Sequence, residues 1–98
     1  IEALPDGQPL LVDCLTLWLT NHMLADHDVE AEGRRLAEVL SRPRGPWFVV
    51  SNEVGLGIVP DNALARRFRD AAGRLNQHVA AVADSVLMMV AGLPLKVK

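Results

Sequence analysis

At 98 residues the chain has room for one small domain. Half of its residues are apolar and 22% are charged, a balance that excludes a disordered chain. A net charge of −2 and a pI near 5.9 argue against nucleic acid as a partner, and no apolar run approaches the ~20 residues that cross a bilayer.

The opening Ile1-Glu2-Ala3-Leu4 has no basic or apolar leader character and no initiator methionine, so the chain is expected to be a piece of a longer protein. Pro5-Asp6-Gly7 reads as a turn into a strand over about residues 9–14. Cys14, the single cysteine, excludes an internal disulfide and fits a reducing compartment, which makes the cytoplasm the expected location. A helix from Leu15 to about Ala25 has a ragged apolar stripe, and Asp26-His27-Asp28 breaks it with helix-capping chemistry. From Val29 to about Arg42 the pattern is clearly amphipathic, and Pro43-Arg44-Gly45-Pro46 stops that helix. Trp47-Phe48-Val49-Val50-Ser51 is continuously apolar up to its serine and predicts a strand buried on both faces. Asn52–Pro60 is a loop with glycines at 55 and 57. Asp61 then caps the longest helix, which runs to about Ala83 with Leu64, Phe68, Ala71, Leu75, Val79 and Val82 inward. Ser85–Val90 forms a third strand with Met88 and Met89 in its core, and Ala91-Gly92-Leu93-Pro94 leads into a short tail.

The order β-α-α-β-α-β with apolar strands predicts an α/β fold, a parallel sheet with helical crossovers. Three strands leave hydrophobic edges unpaired, which implies further strands or a partner chain. In such sheets ligands sit beyond the carboxyl ends of the strands. Asp13 ends the first strand and Asn52-Glu53 follow the second, so they share that edge. A carboxylate delivered by an apolar run suits Mg²⁺ on a nucleotide phosphate; as a strand-end turn or cap residue it would be ordinary. Asn52 and Glu53 have the same two readings, substrate-facing groups or groups that order the loop. Arg69, Gly73 and Asn76 fall on one helix face, either approached by a ligand or another backbone, or solvated with Arg66 paired to Asp70. His22, His27 and His78 have no metal-ligand spacing with each other or with Cys14, and read as surface or capping residues.

The segments Leu10–Asn21, Val50–Pro60 and Phe68–Gln77, in that order and spacing, resemble the adenosylcobinamide kinase/adenosylcobinamide-phosphate guanylyltransferase family of cobalamin biosynthesis. The resemblance runs from Leu10 to Lys96, and Val90–Lys96 is similar to that family's C-terminal strand. It implies the C-terminal part of a P-loop NTPase, RecA-like domain in a bifunctional enzyme that usually forms a homo-oligomer. Such enzymes phosphorylate adenosylcobinamide with ATP or GTP, then pass GMP from GTP through a histidine onto adenosylcobinamide phosphate. Asp13 matches the acid that ends the Walker-B-like strand and helps hold nucleotide and Mg. The family's phosphate loop, Gly-x-x-x-x-Gly-Lys-Ser/Thr, and its histidine nucleophile are absent from these residues, so this chain alone is expected to be inactive. The alternative is a non-catalytic remnant or interaction module of the same α/β fold.

Overall fold

The computed structural model describes residues 4–53 and 62–98. In chain order the elements are β1 (Leu10–Asp13), α1 (Leu15–Leu24), α2 (Val29–Leu40), β2 (Trp47–Val50), α3 (Ala63–Val82), β3 (Leu87–Val90) and β4 (Leu93–Lys96). β1 and β2 pair in parallel, with Leu10 opposite Trp47 and Asp13 opposite Val50. The helical connection between them makes this pairing possible, since parallel strands need a long crossover.

Each helix begins where its sequence can satisfy free backbone N–H groups. Asp28 caps α2, its Oδ1 accepting from the Ala31 N–H at 3.2 Å. Asn62 caps α3, its Oδ1 accepting from the N–H groups of Leu64 and Ala65 at 2.8 and 3.1 Å. The cap is thus one residue later than the expected Asp61, which lies outside the described residues. At the other end of α3, the Lys98 ammonium donates to the carbonyls of Ala80 and Ala81, each at 3.1 Å, and meets the negative end of the helix dipole.

The core lies where the helices meet over one face of β1 and β2. Leu15 and Leu19 of α1, Leu36 and Leu40 of α2, and Ala71, Ala72 and Leu75 of α3 form it, with Val12, Trp47 and Val49 packed beneath. The ragged stripe of α1 accounts for its small share: Leu15 and Leu19 are buried, while Leu17 and Leu24 are exposed. Between α2 and α3, Arg74 Nε–H donates to the Glu30 carboxylate, joining the helices at their rim.

Two expectations about the strands need correction. β2 is not buried on both faces: it alternates, and Phe48 is 63% exposed because the helices cover a single side. Leu11 and Val50 share that bare face with Phe48. The third strand also does not join the first two. β3 instead pairs antiparallel with β4, a strand formed by the segment read as a tail, and the two sheets are separate among the described residues. The local cause is the two-residue turn Ala91-Gly92, both with positive φ (51° and 77°), the backbone that closes tight hairpins. The strand starts at Leu87 rather than Ser85, and Met89 is exposed rather than core.

Candidate functional site

The parallel register sets the site. Asp13 and Val50 end their strands side by side, so the residues that follow each strand leave from the same carboxyl edge. The Asp13 side chain is exposed there, and among the described residues no hydrogen bond or ion pair engages its carboxylate. The Asp13–Cys14 peptide is cis, and Cys14, half-buried, opens α1 without a side-chain cap.

The loop after β2 is held by side chains from two helices. The Asn52 N–H donates to Thr16 Oγ1 at 3.2 Å, in the first turn of α1. Thr16 is itself bound from below, its carbonyl accepting from Thr20 Oγ1 at 2.9 Å. From α3, Asn76 uses both ends of its amide: Oδ1 accepts from Ser51 Oγ at 2.6 Å and Nδ2 donates to the Asn52 carbonyl at 3.3 Å. Three hydrogen bonds therefore fix Ser51 and Asn52 beside the end of β1. Asn52 is exposed with its backbone committed, and the exposed Glu53 follows it. Asn76 is accordingly a positioning residue for this loop.

Thr16 and Ser51 are the residues that sequence reading passed over. The available signal was a hydroxyl three residues after the strand-ending acid, and another directly after an apolar run. Arg69 lies two helical turns before Asn76, about 10 Å away along α3. The structure thus brings Asp13, Asn52, Glu53 and Asn76 to one edge, with Arg69 two turns earlier on α3. Gly73 sits between, and a Cβ built on it meets nothing within 4 Å, so no described backbone makes a close approach there. The loop glycines at 55 and 57 lie outside the described residues.

His22 and His27 lie at the α1–α2 turn, not among the residues that the hydrogen bonds gather at this edge. His22 and His27 bracket the α1–α2 turn, with Nδ1 atoms 2.8 Å apart in a hydrogen bond, and the His22 ring rests against Trp18 at 4.4 Å. That pairing follows from the turn itself, in which the His27 N–H donates to the His22 carbonyl at 3.0 Å. Among the described residues, no group of three His, Cys, Asp or Glu side chains converges as a metal cage, and no helix is long and apolar enough to cross a membrane.

One exposed carboxylate at the end of a strand is the donor set that Mg²⁺ uses with a phosphate, since it takes one or two carboxylates and keeps several waters. The residues present therefore fit that ion when phosphate oxygens complete its shell.

Residues 1–97 match the family model described as cobinamide kinase / cobinamide phosphate guanyltransferase. The chain is 49% identical over 94 residues to the bifunctional adenosylcobalamin biosynthesis protein CobP of Pseudomonas aeruginosa, covering 94% of this chain and 54% of that protein. It is 38% identical over 112 residues to the bifunctional adenosylcobalamin biosynthesis protein CobU of Salmonella typhimurium, covering 99% of this chain and 61% of the relative. The corresponding CobU of Escherichia coli is 36% identical over 107 residues, with 94% and 59% covered. The chain thus spans between half and two-thirds of the length of these relatives. On the family match over nearly all of its residues, the chain belongs to the cobinamide kinase / cobinamide phosphate guanyltransferase family.

Proposed function

We propose that these residues supply the metal- and substrate-facing edge of a bifunctional enzyme. In this reading the whole protein phosphorylates adenosylcobinamide with ATP or GTP, then transfers GMP from GTP to adenosylcobinamide phosphate. The observation that carries the reading is the exposed Asp13 carboxylate, without a partner among the described residues, at the end of an apolar strand and beside a loop fixed by Thr16 and Asn76. The names of the relatives, as bifunctional adenosylcobalamin biosynthesis proteins, support the same substrate class.

Each residue then has a task. Asp13 would hold Mg²⁺, which when bound would supply positive charge to offset that of the transferring phosphoryl group. Thr16 and Asn76 keep the Asn52 backbone in place, so that Asn52 and Glu53 face the substrate with little conformational freedom left to lose. The phosphate loop and the nucleophilic histidine belong, on this reading, to the remaining length that the relatives have and these residues do not.

The unpartnered apolar surfaces support the same division. Leu11, Phe48 and Val50 are bare on one sheet, and Leu93 (70% exposed), Leu95 and Val90 on the other. β2 and β3 are joined through α3, as in a parallel crossover unit, yet among the described residues they do not pair with each other. A strand from the remaining length lying between them would make one sheet of the two and cover both open edges. A homo-oligomer would cover further apolar surface of the hairpin.

The test is an assay of the protein at the full length its gene encodes, given adenosylcobinamide, ATP or GTP, and Mg²⁺. Mass analysis is expected to find the phosphorylated corrinoid and, with GTP, its GMP adduct. A folded protein that forms neither product would leave the non-catalytic remnant as the better account.

A further inference from the structure

The turn between α1 and α2 brings together two metal-ligating side chains that lie five residues apart in the sequence. His22 belongs to the last turn of α1, and His27 precedes the Asp28 cap of α2. Their Nδ1 atoms are 2.8 Å apart, with ring centroids separated by 5.0 Å.

The backbone fixes this approach. The Asp26 N–H donates to the Met23 carbonyl at 3.1 Å and the His27 N–H to the His22 carbonyl at 3.0 Å. Asp26, with a φ of 58°, turns the chain, and the Asp28 side chain caps α2 directly afterwards. The His22 ring also rests on Trp18. The two imidazoles therefore meet in an ordered turn, which lowers the cost of ordering them around a ligand.

A hydrogen bond between two Nδ1 atoms needs one ring protonated at Nδ1 and the other at Nε2. When the donor ring carries its proton on Nε2 instead, both Nδ1 lone pairs are open, and no proton is gained or lost overall. Such a pair attracts a cation, and the carboxylates of Asp26 and Asp28, which flank His27 in the sequence, add negative charge. Bonds of ~2.0–2.1 Å from one ion to both nitrogens would subtend about 85–90° across the 2.8 Å separation. That angle joins adjacent positions of a square or octahedral shell and is too narrow for the tetrahedral shell of zinc. The exposed His27 ring has room to swing its lone pair off the N···N line toward such an ion. We propose that His22 and His27 chelate a late first-row divalent ion, Ni²⁺ or Cu²⁺ in class, with water completing its shell.

Calorimetric titration of Ni²⁺ into the full-length protein tests this, repeated on His22→Gln, His27→Gln and the double variant. One binding equivalent is expected that either single substitution weakens about tenfold or more, since a chelate fails when one arm is removed. The double variant should lose no more than each single does, which separates a shared site from two independent histidines. Cu²⁺ should bind there more tightly than Ni²⁺, and its electron paramagnetic resonance spectrum should lose nitrogen coupling in His27→Gln. Mg²⁺ should not compete, because it takes oxygen ligands. His27 is exposed, so His27→Gln keeps the fold, and Ni²⁺ should raise the unfolding temperature of the wild type more than that of this variant. Asp13→Ala should retain the equivalent, so the outcome does not depend on the function proposed for that edge. Equal Ni²⁺ binding by wild type and His27→Gln, or losses that simply add in the double variant, would overturn the proposal.

Discussion

Replacing Asp13 with alanine in the full-length protein is expected to lower Mg²⁺-dependent turnover on the order of 100-fold, or ~2.7 kcal/mol of transition-state stabilisation. Folding should hardly change, because the side chain is exposed and no described group bonds to its carboxylate. The asymmetry between the two effects is the point. A strand-end acid that served as a turn or cap would lose stability when truncated and have little bearing on metal use. A metal-holding acid would do the reverse, since its partner arrives with the nucleotide. Turnover measured across a Mg²⁺ titration, alongside thermal unfolding, separates these cases. Comparable turnover and unchanged Mg²⁺ dependence in the variant would remove Asp13 from the site.

Two glycines are expected to respond in opposite directions to the same substitution. At Gly45 a Cβ would lie 2.5 Å from the Gln8 carbonyl oxygen and 3.2 Å from its carbonyl carbon and nitrogen. The obstacle is backbone, held by flanking hydrogen bonds from Gly7 and Leu10, and cannot swing aside. Gly45→Ala should therefore cost about 2 kcal/mol, as overpacking does elsewhere. Gly73 lies inside α3 with open space around the missing Cβ, so Gly73→Ala should stabilise by up to ~1 kcal/mol through helix propensity. Denaturant unfolding of both variants in the full-length protein measures the contrast. If Gly73→Ala instead destabilises or disturbs assembly, then another subunit or the remaining length of the protein covers that face.

These glycines also mark where sequence reading reaches its limit. Gly73 drew suspicion of a close approach because a mid-helix glycine is costly, yet nothing described touches it. Gly45 read as part of a helix stop, and its contact with Gln8 is between segments 37 residues apart, a distance that no local pattern encodes. The elements themselves were legible where periodicity or capping chemistry spoke plainly. α2 has a steep apolar stripe and Asp28 at its cap, and both are found. β4 was legible only through the resemblance of Val90–Lys96 to a C-terminal strand, because Leu93-Pro94-Leu95-Lys96 is short and holds a proline, and its pairing depends on the turn at Ala91-Gly92. The expectation of burial on both faces of β2 assumed helices on each side, whereas the described helices cover one. At the site, Asp13 and the Asn52-Glu53 pair were visible from their positions after apolar runs. Thr16, Ser51 and the double role of the Asn76 amide were not, because hydrogen-bond partners from three elements meet there through tertiary packing alone.

The proposed division of labour between these residues and a longer protein can be tested by incubating radiolabelled GTP and Mg²⁺ with two preparations, then denaturing each. One is the protein at its full encoded length, the other residues 1–98 alone. Asp13 can hold a metal only when phosphates are already cradled, and no phosphate loop lies within these residues. The full-length protein should therefore carry covalent GMP on a histidine outside residues 1–98, and the shorter chain should carry none. Label on His22, His27 or His78 would contradict the account.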